Sequence, residues 1–288
     1  EQEREGLYLL EELTIGPVIA VLGIRHDRFE DRDGTNVFAD SDETLRAGLV
    51  YRVTPEISLF GQFAQSFEPQ SIAAQDPRAG GPFAPTAGEI FEGGLKTALM
   101  GGRIQSTLTA YRITRSNILQ IDPNGDSGND GVDDLVAFGE ITSKGVEFDL
   151  AADITPDWVA TVAYAYNDTR ITEDKGTGGG FANNVGDRFA NAPEHTLGCW
   201  TRYQFPRPGL AIAFGGDYVS ERISIEGQKV RPYMVFDASL IWERGPWRAL
   251  VRVDNLFDKE YAASGFIERS GHFPGEPRTI FLEVAHRW

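Results

Sequence analysis

The sequence predicts an all-β protein whose antiparallel strands run up and down as a transmembrane β-barrel. Three observations support this fold class. About thirteen runs along the 288 residues alternate apolar and polar side chains with a period of two. Short and long connections between these runs alternate along the chain. Aromatic residues stand near the strand ends, as is typical of a membrane interface.

The composition agrees with strands and turns and excludes several classes of protein. Gly (32) and Pro (15) far outnumber Met (2) and Cys (1). No apolar run approaches the ~20 residues of a membrane helix, so a helical membrane protein is excluded. The formal charge of −16 argues against a nucleic-acid partner, whose phosphates attract basic surfaces. The single cysteine, Cys199, excludes an intramolecular disulfide.

The strands and the connections between them follow from this pattern. The predicted strands are 5–14, 18–28, 44–53, 57–66, 89–99, 103–121, 143–153, 158–169, 195–204, 210–221, 233–243, 247–256 and 278–288. Tight Gly and Pro turns lie at 16–17, 54–56, 101–102, 155–157, 205–209 and 245–246. Long connections lie at 29–43, 67–88, 122–142, 170–194, 222–232 and 257–277. An up-and-down meander would therefore place all long connections at one edge, as outer-membrane barrels do.

The alternation also predicts which face meets lipid. In the last strand the predicted lipid face is Ile280, Leu282, Val284, His286 and Trp288. The strands 45–53, 143–153 and 247–253 divide in the same way, with charges of both signs opposite the apolar face. A sandwich strand with one solvated face alternates identically. The barrel is favoured by aromatic residues near strand ends, namely Tyr51, Trp158, Tyr203, Tyr218, Trp242, Trp247 and Trp288.

The charged residues of the opposite face would line the interior. The carboxylates are Glu92, Glu147, Asp149 and Glu283, and the bases are Arg46, Arg52, Lys96, Arg248, Arg252 and Arg287. We expect them to pair with each other or with an inserted domain. No nucleophile elbow, P-loop or zinc spacing accompanies them. The sequence therefore predicts no enzyme, no cofactor and no catalytic or metal-binding residue.

The loop 122–140 contains six acidic residues and no base. Asp122, Asn124 and Asp126 have the spacing of oxygen ligands that begins a calcium loop. However, Ser127 stands where such a loop has Gly, and flanking helices are not predicted. A solvated acidic loop is the interpretation we favour over a calcium site.

With these residues in place, the chain resembles the C-terminal part of a TonB-dependent outer-membrane receptor, and in particular the ferrichrome-type siderophore receptors. The similar segments are "EGLYLLEEL" to "VLGIRHDRF" (5–29), "FGQFAQSFEPQ" (60–70), "FAPTAGEIFEGGLK" (83–96), "ITSKGVEFDLAADIT" (141–155), "VDNLFDKEY" (253–261) and "GEPRTIFLEVAHRW" (275–288). Their order and spacing together carry the resemblance, which covers nearly the whole chain.

The resemblance implies a 22-stranded barrel with an N-terminal plug domain and a TonB box. We expect residues 1–288 to be the C-terminal portion of that barrel, with the plug domain absent. No signal peptide precedes "EQEREGLYLL", so we expect a mature or incomplete exported chain. In such a chain the strand 5–14 would be an edge strand prone to aggregation.

The resemblance also implies the partners and the binding residues. It implies a bacterial outer-membrane receptor for a ferric siderophore, with the hydroxamate type expected. Contact with the TonB complex would come through the missing N-terminal region, and the barrel would contact outer-membrane lipid and lipopolysaccharide. Aromatic residues at the loop ends would contact the siderophore, namely Phe67, Phe83, Phe266 and Phe273.

Two other functions are compatible with parts of the sequence. A passive porin-like channel needs the same strands but no plug. A soluble calcium-binding adhesin with an all-β fold would account for the acidic loop. The rings of the four phenylalanines could also simply pack their own loops together.

Overall fold

The structure is a computed structural model that describes residues 1–34, 36–122, 125–137, 139–173, 184–207, 209–266 and 271–288. Its strands are β1 (Gln2–Ile15), β2 (Val18–Asp33), β3 (Asn36–Thr54), β4 (Ile57–Glu68), β5 (Thr86–Leu99), β6 (Ile104–Ser116), β7 (Leu119–Ile121), β8 (Leu135–Ala137), β9 (Glu140–Thr155), β10 (Trp158–Glu173), β11 (His195–Gln204), β12 (Leu210–Val219), β13 (Arg222–Ile223), β14 (Lys229–Val230), β15 (Tyr233–Arg244), β16 (Trp247–Asp254), β17 (Ala262–Gly265), β18 (His272–Pro274) and β19 (Thr279–His286). Two 3-10 helices, η1 (Ile72–Gln75) and η2 (Pro77–Ala79), follow β4.

Thirteen of these strands form one sheet, which confirms the predicted number. Its order is β1-β2-β3-β4-β5-β6-β9-β10-β11-β12-β15-β16-β19, so each long strand is bonded to its neighbours in sequence. The six remaining short strands pair as hairpins, β7 with β8, β13 with β14 and β17 with β18. Within the described residues no helix is long and apolar enough to cross a membrane.

The chain divides into two compact units. Unit 1 comprises Glu1–Gly94, Ala110–Lys144 and Asp168–Phe189. Unit 2 comprises Leu95–Thr109, Gly145–Asn167 and Ala190–Trp288. Among the described residues, the large apolar side chains that are buried are Phe29 in β2, Ile141 in β9, Ile171 in β10 and Val230 in β14.

The prediction of a long connection at 29–43 is wrong. β2 continues to Asp33 and β3 begins at Asn36, and the two are paired throughout. Sequence reasoning ended both strands where the apolar alternation stops, near the pair Ile24 and Leu45. The backbone ladder continues into polar sequence because Phe29 and Asp31 are buried there.

The predicted strand 103–121 is also wrong in its last five residues. β6 ends at Ser116, and Asn117 adopts a left-handed conformation with φ 59°. Its side-chain amide donates to the carbonyl of Pro85 (3.1 Å), which ties the bend to the preceding long connection. The next residues form β7, which pairs with β8 in a separate hairpin.

The predicted lipid face is exposed, as a lipid-facing surface of a barrel must be. Leu282 and Ile280 of β19 are 73% and 66% exposed, and Leu49 of β3 is 53% exposed. At the short turns, Trp158 lies opposite Tyr203. Such exposed apolar surface would be unfavourable in water and is expected in contact with lipid.

Strand β1 lies at one end of the sheet order, as expected for the strand predicted at 5–14. It pairs with β2 over its whole length, from Gln2 to Ile15. All of its residues are exposed, including Leu7 and Leu9.

The segment "NLFDKEY" is a turn built around Asn255. The residue has φ 50° and is 5% exposed. Its amide side chain donates to the carbonyls of Lys259 (2.9 Å) and Glu276 (3.0 Å) and accepts from the Lys259 N–H (2.8 Å). Its backbone N–H donates to Asp237 (2.7 Å). One side chain therefore joins the end of β16 to the start of β19.

We expect Asn255→Ala to lower the free energy of unfolding by about 2 kcal/mol, because buried backbone groups lose their partners and the left-handed conformation loses a residue suited to it. Urea unfolding in detergent, followed by tryptophan fluorescence, measures the change. As a control, Asn184→Ala removes an exposed loop amide that bonds to Asp187 and should change the free energy by less than ~0.5 kcal/mol. An equal change in the free energy of unfolding of the two variants would contradict the role given to Asn255.

Candidate functional site

Phe67 lies near the end of β4, in a cleft of unit 1. The ring stacks on buried Phe29 with centroids 5.9 Å apart and an interplanar angle of 27°. The Arg4 guanidinium lies 5.3 Å from the Phe29 ring centroid and forms two hydrogen bonds to Asp31, at 2.7 and 3.1 Å. The cleft has a volume of about 370 Å³ and is lined by Arg4, Arg25, Asp27, Phe29, Thr44, Gln65, Ser66, Phe67 and Pro69.

A second cleft of about 540 Å³ in unit 1 shares Phe67 and is lined also by Thr86, Ile90 and Arg115. Phe67 thus lies between two openings that carry both charged and apolar groups. Such a lining suits a ligand with an apolar body and a few polar atoms.

Phe83 has a different environment. The buried Gln75 side chain accepts from the Phe83 N–H (2.6 Å) and donates to the Phe83 carbonyl (2.9 Å). Its ring is half-buried and lines neither of the two clefts around Phe67. Phe83 therefore does not line either cleft with Phe67, and its backbone is held by hydrogen bonds within its own loop.

Phe266 and Phe273 are brought together in unit 2. Their ring centroids are 5.8 Å apart at an angle of 53°. Phe266 follows β17 directly and Phe273 lies in β18, opposite Ser264. The rings are 37% and 55% exposed. Two adjacent exposed rings on a short hairpin form an apolar surface available to a ligand.

Among the described residues, the predicted interior charges have partners of more than one kind. Arg248 pairs with Glu283 (2.8 Å), as expected. Glu92 instead accepts from the amide of Gln62 (2.6 Å). Glu147 and Asp149 line a cleft of about 410 Å³ that also contains Asp217. Sequence reasoning missed Asp217, which follows two glycines and has no apolar alternation beside it.

The acidic loop uses its carboxylates to bind its own backbone. Asp126 accepts from the N–H groups of Asp130 (3.1 Å) and Gly131 (2.7 Å), and Asp134 accepts from the Ser127 N–H (3.0 Å). Asn124, the middle residue of the suggested calcium spacing, lies outside the described residues. Among the described residues no group of three His, Cys, Asp or Glu side chains could hold a metal ion.

Comparisons with known proteins agree with this architecture. The sequence profile of the family described as "TonB dependent receptor-like, beta-barrel" matches residues 1–256. The chain is 28% identical to the "Ferrichrome outer membrane transporter/phage receptor" of Escherichia coli (strain K12), over 100% of the chain and 38% of that protein. It is 31% identical to the "Metal-pseudopaline receptor CntO" of Pseudomonas aeruginosa (strain UCBPP-PA14), over 92% of the chain and 38% of that protein.

Among solved structures, the ferripyoverdine receptor of the Pseudomonas aeruginosa outer membrane, bound to ferripyoverdine, matches with a TM-score of 0.83 and 17% identity. The match covers 99% of this chain and 38% of that structure. At this identity the match shows the fold alone. The chain thus spans about two fifths of the length of the curated relatives it matches.

The hydrogen bonds to Asp126 predict a pH-dependent loop. Backbone N–H groups of Gly131 and Asp130 hold the pKa of Asp126 below its usual value. The bonds should therefore be complete above the ordinary pKa of aspartate, near ~3.9, and be lost as the pH falls through the lower folded value. At neutral pH, Asp126→Ala should speed hydrogen exchange of the Gly131 amide several-fold, and the difference should vanish in strong acid.

The control for this measurement is Asp133→Ala, which removes the same charge from the same loop. It should leave exchange of the Gly131 amide unchanged at every pH. An equal effect of the two substitutions would mean that net charge, and not the Asp126 bonds, orders the loop.

Proposed function

The chain belongs to the TonB-dependent receptor β-barrel family and is an outer-membrane protein of a Gram-negative bacterium, and from this premise we propose that it binds and imports a ferric siderophore of the hydroxamate type. The observation that carries the proposal is the exposed pair Phe266 and Phe273. A hydroxamate chelate surrounds its metal with an apolar backbone, so adjacent aromatic rings suit its surface.

The charge of the long connections supports a hydroxamate over a catecholate. Without 29–43, into which β2 and β3 extend, the five other predicted long connections contain 17 of the 43 acidic residues and 9 of the 27 basic ones. Three hydroxamates neutralise ferric iron, whereas three catecholates leave the complex with a charge of about −3. An acidic surface repels polyanions and therefore favours neutral or cationic chelates over them.

Import energised by the TonB complex is the second part of the proposal. The resemblance implies that a plug domain and a TonB box provide this coupling, and both would lie outside these 288 residues. The barrel would then contact lipid and lipopolysaccharide through its exposed apolar face and pass the chelate inward when the plug moves.

Uptake of iron-labelled ferrichrome tests the proposal. The protein is expressed from its native gene in a host that lacks its own ferric hydroxamate receptors, with and without TonB. We expect uptake only when TonB is present. Uptake without TonB would instead favour the passive channel, and no binding to intact cells would refute the proposed ligand class.

Substitution of the aromatic pair tests the site. Phe266→Ala and Phe273→Ala should each weaken ferrichrome binding by ~1–2 kcal/mol, the scale of a truncated interface aromatic. Phe67→Ala should also weaken binding, and a smaller effect is expected of Phe83→Ala because Phe83 lines neither of the clefts around Phe67. Equilibrium binding to cells with equal surface expression measures each change.

The matched control is Phe257→Ala. Phe257 is 68% exposed and begins the same long connection, but its ring contacts Phe236 of β15. This substitution should leave ferrichrome affinity unchanged. Unchanged affinity in Phe266→Ala and Phe273→Ala as well would exclude the last loop from the site.

A further inference from the structure

Residues of three predicted long connections, 170–194, 222–232 and 257–277, meet at Asn191 in unit 2. Its amide oxygen accepts from the Gly265 N–H (2.8 Å), and its amide nitrogen donates to the Gly265 carbonyl (2.9 Å). Its own backbone N–H donates to the Ile223 carbonyl (2.8 Å). The carboxamide thus bonds to one peptide group on both sides, as a neighbouring strand would.

Gly265 is packed so closely that only a glycine fits. A Cβ atom there would lie 2.6 Å from Val230 Cγ2 and 2.7 Å from Ser224 Cβ. Val230 and Ser224 are themselves fully buried. The last long connection therefore lies directly on the hairpin of β13 and β14.

Arg222 makes the second junction between the same two connections. Its guanidinium donates to the carbonyls of Ala263 and Ala262, the latter at 2.9 Å. It lies 5.3 Å from the centroid of the Tyr233 ring. The residue is 4% exposed, and within the described residues its Nε has no hydrogen-bond partner. A buried charge held this way is costly to displace, because the carbonyls and the ring replace its hydration.

We propose that Asn191 and Arg222 are positioning residues that orient the aromatic pair Phe266 and Phe273 toward the ligand. Both residues bond to the backbone of β17, and Phe266 is the next residue after that strand. The hairpin of β17 and β18 is too short to be stable alone. The orientation of the hairpin is therefore set by the two side chains that form hydrogen bonds to β17. The inference deepens the proposed function and rests on it for the ligand.

The bonds from Asn191 and Arg222 to β17 are tested first without ligand, by hydrogen exchange of the segment 262–266. In Asn191→Ala and in Arg222→Ala we expect exchange about tenfold faster than in the unmodified protein, because the protecting bonds are lost. The matched controls, Asn184→Ala and Arg78→Ala, remove the same residue types from exposed loops of unit 1 and should leave this segment unchanged. Unchanged exchange in Asn191→Ala would overturn the inference.

A double-mutant cycle with ferrichrome then separates positioning from direct contact. Asn191→Ala should weaken binding about fivefold, the scale of one net hydrogen bond. The same substitution should have no further effect in a protein that already carries Phe266→Ala and Phe273→Ala. Additive losses would overturn the positioning role, since Asn191 would then act independently of the rings.

Two further outcomes keep the proposals distinguishable. If Arg222→Ala does not fold, Arg222→Lys retains the charge but not the paired donors and should show an intermediate increase in exchange. If the unmodified protein does not bind ferrichrome, the proposed ligand is refuted, and the positioning role toward it falls with it. If Phe266→Ala weakens binding while Asn191→Ala does not, the site stands and the positioning role alone is refuted.

Discussion

Every backbone N–H and C=O group of a strand inside a bilayer must bond to a neighbouring strand, because lipid offers neither donors nor acceptors. The thirteen-stranded ladder meets this requirement for the strands between β1 and β19, which stand at the two ends of the order and pair on one side. Side chains are free to point alternately to lipid and to the interior, so exposed leucines such as Leu282 are stable there. In β2 and β3 the backbone pairing continues past the apolar part of the two strands. There Phe29 and Asp31 are buried within a polar stretch of sequence.

Outside the thirteen-stranded sheet, side chains form hydrogen bonds to backbone groups that no neighbouring strand pairs. Gln75 binds both polar groups of Phe83, Asn191 binds both of Gly265, and Asn255 joins two strand ends. In each case an amide supplies a donor and an acceptor at once, which is what an unpaired peptide group requires. The described parts of these connections are therefore held together by a few amide and guanidinium groups.

This arrangement bears directly on ligand binding. Aromatic rings on a flexible loop would lose conformational entropy when a ligand orders them. Rings on a hairpin already held by hydrogen bonds lose less conformational entropy on binding. Phe266 and Phe273 lie on such a hairpin, and acidic residues outnumber basic ones in the long connections of the chain taken together. Aromatic surface would then provide affinity for a chelate, and the acidic connections would select against polyanions.

The sequence by itself determined the number of long strands and the tight turns. These features depend on local periodicity and on Gly and Pro, which act within a few residues. Resemblance located the family and proposed the aromatic residues. Only the tertiary structure decided that β2 and β3 extend past residues 29 and 43, and that Phe266 meets Phe273 while Phe83 is held by Gln75. It alone placed Asn191 beside Gly265, 74 residues further along the chain. A hydrogen bond between residues so far apart leaves no trace in local periodicity, because nothing in the neighbouring sequence has to change to accommodate it.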